Sequence, residues 1–111
     1  VKNPSIYILH ILNSISRIEH YTVNITEEEF YRNFLIQDAV LRNIQVIGEA
    51  SKKFEESFKE STSHIPWRKI SAMRNKVIHE YFGIDLPAVW QVVKVDLIIL
   101  KNQLLDLQSG L

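Results

Sequence analysis

Cysteine is absent from this chain of 111 residues, which excludes a disulfide framework and any thiolate-bound zinc and accords with a reducing, cytoplasmic setting. Excess charge is absent too. Thirteen basic and thirteen acidic side chains cancel, so no whole-molecule field draws the chain to nucleic acid or an anionic membrane, and any such contact must be local. No apolar run approaches the roughly 20 residues needed to cross a bilayer; "DLIIL" is typical of the longest, and no membrane partner is expected. The four histidines, at 10, 20, 64 and 79, show neither i, i+4 pairing nor an acidic ligand at metal-site spacing, so neither a metal nor a cofactor is expected. Internal repeats and low-complexity tracts are missing. So is strict two-residue alternation between hairpin turns, which predicts negligible sheet. The chain begins at Val1 without a methionine or a signal-like start, so a few leading residues are expected to be missing.

What is present is helical periodicity. With 46% hydrophobic residues, the length suits one domain over 1–111. Ile8, Ile11, Ile15 and Ile18, widened by Leu12, mark an amphipathic first helix with Pro4 in its first turn. Thr26 stands three residues before Glu29, a capping-box pattern that starts a short helix. From Leu35 to about Phe58, the positions Val40, Ile44, Ile47, Phe54 and Phe58 keep the same period and predict a long helix. Gly48 inside it costs about 1 kcal/mol relative to alanine, so it marks a close approach by another helix, with Ala50 and Ser51 keeping that face small. Glu49 is a candidate structural acid that pairs with a basic group.

After the polar "KESTSH", Pro66 fits the first position of a helix through "WRKISAMRNKVIHEYF". Gly83 is placed as its C-terminal cap, and Asp85 can cap the next helix ahead of Pro87. The last helix carries Leu86, Val89 or Trp90, Val93, Leu97, Leu100, Leu104 and Leu107 in a heptad-like seam. Val92, Val95, Ile98 and Ile99 lie outside that seam. The expected architecture is an all-α up-and-down four-helix bundle with an extra short helix, and the leftover apolar face predicts a homodimer.

Within "AMRNKVIHEYFGID" stand Arg74, Asn75, His79 and Tyr81. On a continuous helix Arg74 falls about 40° from Ile70, within the apolar arc, where a guanidinium needs an anion. A salt bridge to Glu49 or to an acid on the first helix is the plainer reading. His79 points about 140° away from Arg74, so one straight helix does not aim both at one atom: either its last turn distorts before Gly83, or two copies of the helix meet across a dimer axis, which the leftover apolar surface favours. At the last turn of that helix the negative dipole end would favour a protonated imidazole, and histidine ordinarily titrates near about 6.5. Tyr81 is most simply an aromatic of the core or an interface. Between Glu60 and Glu80 there is no acid, yet Arg68, Lys69, Arg74 and Lys76 are present with His64 and His79. This basic island suits a phosphate-bearing partner, although a solvated face is its commoner meaning.

The stretch "RNKVIHEY" reads R-x-x-x-x-H-x-Y and resembles the motif of HEPN-domain proteins, specifically the HepT-like toxins of the DUF86 family. "ILHILNSISRIEHYT", "QDAVLRNIQVIGEASKKF" and "IPWRKISAMRNKVIHEYFGIDLPAVWQVV" look like that family in the same order. The resemblance implies a HEPN-like fold and a metal-independent endoribonuclease, the toxin of a type II toxin–antitoxin pair, cutting RNA at a cleft shared by a homodimer. It implies Arg74 and His79 as the catalytic pair, with Asn75 supporting. It implies Tyr81 as the tyrosine that the antitoxin, a minimal nucleotidyltransferase, modifies with AMP. Arg68, Lys69 and Lys76 are candidate RNA contacts. The residue types suit the chemistry: histidine can move the proton of a 2′-hydroxyl, and a guanidinium can stabilise an anionic phosphorus centre. A non-catalytic RNA- or nucleotide-binding dimer and a purely structural dimerisation module are the alternatives.

Overall fold

Isoleucines spaced three and four apart share one side of a helix, and in the computed structural model, which describes residues 3–79 and 83–110, that side is the core. Helix α1, Pro4–Thr22, buries Ile8, Ile11, Ile15 and Ile18; each such side chain contributes about 1.5–3 kcal/mol when fully buried. The Asn3 side chain caps it by accepting from Ser5 N at 2.9 Å, and Pro4 stands where no intrahelical donor is needed. Helix α2, Glu27–Arg32, opens with the expected capping box: Glu29 N donates to Thr26 Oγ1 and Thr26 N to Glu29 Oε1. Asn33 caps α3, Phe34–Ser51, whose Val40, Ile44 and Ile47 are buried. Helices α1 and α3 pack along each other, and both belong to one hydrophobic core.

The long helix expected to reach Phe58 stops at Ser51. Phe54 and Phe58 are still turned inward, but as part of a ring cluster: Phe54 lies 4.9 Å from Phe58 and 4.7 Å from Trp67, centre to centre. The apolar spacing therefore survives without the helix that it implied. Helix α4, Glu56–Ser61, is a separate short element. Thr62 fixes the following turn, donating to Phe58 O and accepting from Trp67 Nε1 at 2.9 Å.

A second correction concerns the helix predicted through Phe82. Pro66 is the residue preceding α5, Trp67–Ser71, and the chain leaves helical geometry at Ala72, φ −94° and ψ 5°, before α6, Met73–Val77. Gly48 supplies the reason. A Cβ there would meet Ser71 O at 3.2 Å, so the glycine admits the backbone of the α5–α6 junction against α3, the close approach that its position predicts.

At Ile78 and His79 the backbone is extended. Strands β1, Ile78–His79, and β2, Gly83–Ile84, pair antiparallel with Ile78 opposite Ile84 and His79 opposite Gly83. Gly83 takes φ +80°, the left-handed region open to glycine, but inside this ladder and not as a helix cap. Asp85 then caps α7, Leu86–Gln91, by accepting from Ala88 N at 3.1 Å. A π-helical turn, Val92–Asp96, joins α7 to α8, Leu97–Ser109. Its extra residue rotates the seam so that Val92 is buried along with Val93, whereas Val95, Ile98 and Ile99 remain exposed. Helix α8 packs on α1, and α5 and α6 pack on α3. Apart from the short ladder, the described elements are helical, as the periodicity predicts. No described helix is long and apolar enough to cross a membrane.

Candidate active site

The motif residues sit on two different elements. Arg74 and Asn75 are exposed on α6, and His79 is half-exposed on β1. His79 is therefore not in the last turn of a helix, and the helix-end environment expected for it is absent. The change of backbone after Val77 makes the helical-wheel angle between Arg74 and His79 inapplicable. Their relation is set by where β1 leaves α6.

Arg74 makes no ion pair among the described residues. Glu49, the acid proposed for it, is exposed on α3 and accepts from Gln45 Nε2 at 3.3 Å. The break at Ala72 turns α6 so that Met73 and Val77 are buried and Arg74 is not, which removes the conflict between its charge and the apolar arc. A guanidinium so placed is free to receive an anion.

The other basic residues divide between two grooves. Arg68 and Asn75 line one of about 360 Å³ with Lys52, Lys59 and Trp67. Lys69 and Lys76 line another, of about 510 Å³, between the α5–α6 segment and α8, with Met73, Asp96, Ile99 and Gln103. Lys76 is partly neutralised there, its Nζ 3.2 Å from Asp96 Oδ2. Tyr81 lies outside the described residues.

Sequence reasoning assigned Asp85 only a capping role. Its second oxygen, Oδ2, stands 3.8 Å from His79 Nε2. The charge of the same carboxylate is also felt at Tyr31 on α2, whose hydroxyl donates to Glu27. That bond, then burial, the charge of Glu27 and the charge of Asp85 push the Tyr31 hydroxyl up to about 12. Helix α2 is brought here by the packing of Phe30 on Trp90, 5.3 Å between ring centres. Lys52, Lys59 and Asp96 were likewise missed. Each is far from the motif in sequence and enters through tertiary packing, so only Asp85, close to the motif, left a local signal.

The segment from α6 to β1 thus carries an arginine without a counter-ion among the described residues and, five positions on, a histidine 3.8 Å from a carboxylate; an imidazole of this kind is a group able to transfer protons. The family model described as Ribonuclease HepT-like matches residues 11–107, and the chain belongs to this family. A protein of Methanocaldococcus jannaschii named "Gamma-glutamylcyclotransferase and putative RNase" is 44% identical over 110 residues, which are 99% of this chain and 50% of that protein. The chain thus spans half the length of that relative. The "Probable ribonuclease HepT" of Thermococcus cleftensis is 41% identical over 97 residues, 87% of this chain and 88% of that protein. No solved structure matches the chain.

Proposed function

We propose that this chain is a metal-independent endoribonuclease, the toxin of a type II toxin–antitoxin pair, acting in the cytoplasm as a homodimer with its cleft between the two copies. The observation that carries the reading is Arg74, exposed and without a counter-ion among the described residues, on the helix that runs directly into the strand bearing His79. Membership of a family described as HepT-like ribonucleases supports RNA as the substrate class.

In the proposed reaction the RNA 2′-oxygen attacks the adjacent phosphorus. The O2′–P bond forms, the P–O5′ bond breaks, the 2′ proton is taken up, and a proton is delivered to O5′. His79 performs proton transfer, Arg74 stabilises the crowded phosphorane charge, and Asn75 supports them by holding a phosphate oxygen. DNA lacks the nucleophile. Arg68, Lys69 and Lys76 hold flanking phosphates, Arg68 in one groove and the two lysines in the other.

The exposed apolar side chains Val95 in the π turn and Ile98 and Ile99 on α8, with Ile99 lining the groove of Lys69 and Lys76, support self-association through this face. It would place two copies of the motif near one axis. A nucleotidyltransferase antitoxin that transfers AMP to Tyr81 would set bulk and negative charge beside the cleft and repel RNA.

The test is cleavage of unstructured RNA by the purified protein in chelator. His79→Ala and Arg74→Ala are each expected to slow it by about 100-fold or more. An His79→Ala protein that cuts as fast as the parent overturns the assignment. Salt-sensitive RNA retention without cleavage by any of the three proteins would point instead to a binding module.

A further inference from the structure

We propose that Asp85 is a positioning residue for His79, holding the imidazole through Nε2 so that Nδ1 is the atom that exchanges protons with RNA. The inference rests on the ribonuclease reading for its catalytic consequence, but the contact itself belongs to the fold.

Asp85 is fixed from three directions. Its backbone N–H donates to Val77 O at 2.8 Å, tying it to the residue where α6 ends. Its Oδ1 is occupied by the N–H of Ala88 at the start of α7. The strand before it is locked to β1 by the pairing of His79 with Gly83 and Ile78 with Ile84. With the backbone and one oxygen committed, the remaining oxygen has little freedom, and it faces His79 Nε2 at 3.8 Å.

A half-exposed pair of this kind adds little to stability, so stability does not explain the arrangement. Orientation does. A carboxylate beside one ring nitrogen selects the tautomer that carries its proton there and stabilises the imidazolium that forms during turnover. The separation is longer than a hydrogen bond, and contacts of this type shorten when substrate is bound. Of the two cations in the last turn of α6, Lys76 is engaged by Asp96 and Arg74 makes no ion pair among the described residues, so neither occupies Asp85.

Asp85→Asn and Asp85→Ser separate the two duties of the residue, because both replacements cap a helix nearly as well as aspartate. In Asp85→Asn the amide oxygen stays with Ala88 N, which turns the amide N–H₂ toward His79 and forces Nε2 to accept. In Asp85→Ser the cap survives and the carboxylate is gone. The measurement is long-range ¹H–¹⁵N NMR of the full chain at alkaline pH, with His79 assigned by its loss in His79→Gln, alongside steady-state RNA cleavage.

The parent is expected to show His79 protonated at Nε2, Asp85→Asn at Nδ1, and Asp85→Ser a mixture. In both variants kcat is expected to fall by about tenfold or more, with KM within about twofold. Identical His79 tautomers in all three proteins, or a kcat within about twofold of the parent in both variants, overturns the proposal. If the parent cleaves no RNA, the ribonuclease reading fails by itself, and the tautomers alone then decide whether Asp85 holds His79.

Discussion

The carbonyl oxygen of Ser71 lies 3.2 Å from where a Cβ on Gly48 would stand, so the break between α5 and α6 is seated on a glycine of α3. Because the opposing atom is backbone, it cannot swing aside as a side chain would. Gly48→Ala gains about 1 kcal/mol of helix propensity against an overpacking cost of about 1–3 kcal/mol. A net loss of about 1 kcal/mol is expected in urea unfolding. Gly48→Val, with two further carbons and a β-branch, should lose more, about 3 kcal/mol. A Gly48→Val protein as stable as the parent would show that α5–α6 does not rest on this contact.

Tyr31 ties a titration to the neighbourhood of the site. Its hydroxyl is raised from 10.0 to about 12, first by its bond to Glu27, then by burial and by the charges of Glu27 and Asp85. In the unfolded chain the phenol ionises near its ordinary value, whereas the folded protein keeps the proton longer. The stabilisation from this group is therefore complete below about pH 10 and is lost as pH rises through about 12. Thermal melts across that window should fall more steeply for the parent than for Tyr31→Phe. Parallel curves would remove Tyr31 from the account of alkaline stability.

Self-association through α8 is tested at Ile99. It is 55% exposed in the single chain and borders the groove with Lys69 and Lys76, so Ile99→Asp leaves the fold intact while placing a charge in the proposed interface. Light scattering after gel filtration should show a dimer for the parent and a monomer for the variant. RNA cleavage should fall at least about tenfold in the monomer, since the cleft is then incomplete. A variant that remains dimeric would move the interface away from this face.

The sequence made the local signals legible and hid the tertiary ones. The Thr26–Glu29 capping box, Pro4 in the first turn of α1, the Asp85 cap and the isoleucine stripe of α1 are written in adjacent residues, and the structure displays each. Gly48 announced a close approach without naming what approached. The end of α6 could not be read because no glycine, proline or asparagine marks it. Val77 is released from the helix by a backbone bond from Asp85, eight positions later. The ring cluster of Phe54, Phe58 and Trp67 imitated helical spacing across a break, and the π turn at Val92–Asp96 carries no compositional mark at all. For the site, Arg74, Asn75 and His79 were visible as residues, but their distribution over a helix and a strand was not, and the carboxylate facing His79 was seen only as a cap.

The hairpin has a mechanical consequence. Arg74 rides on a helix that packs against α3, whereas His79 faces the carboxylate that caps α7. The chain between α6 and His79 contains a single extended residue, Ile78, and the Asp85 backbone is bonded to Val77, so α6, β1 and the start of α7 meet at one point. The mutual placement of arginine and histidine thus passes through one extended residue, pinned from outside by the start of α7.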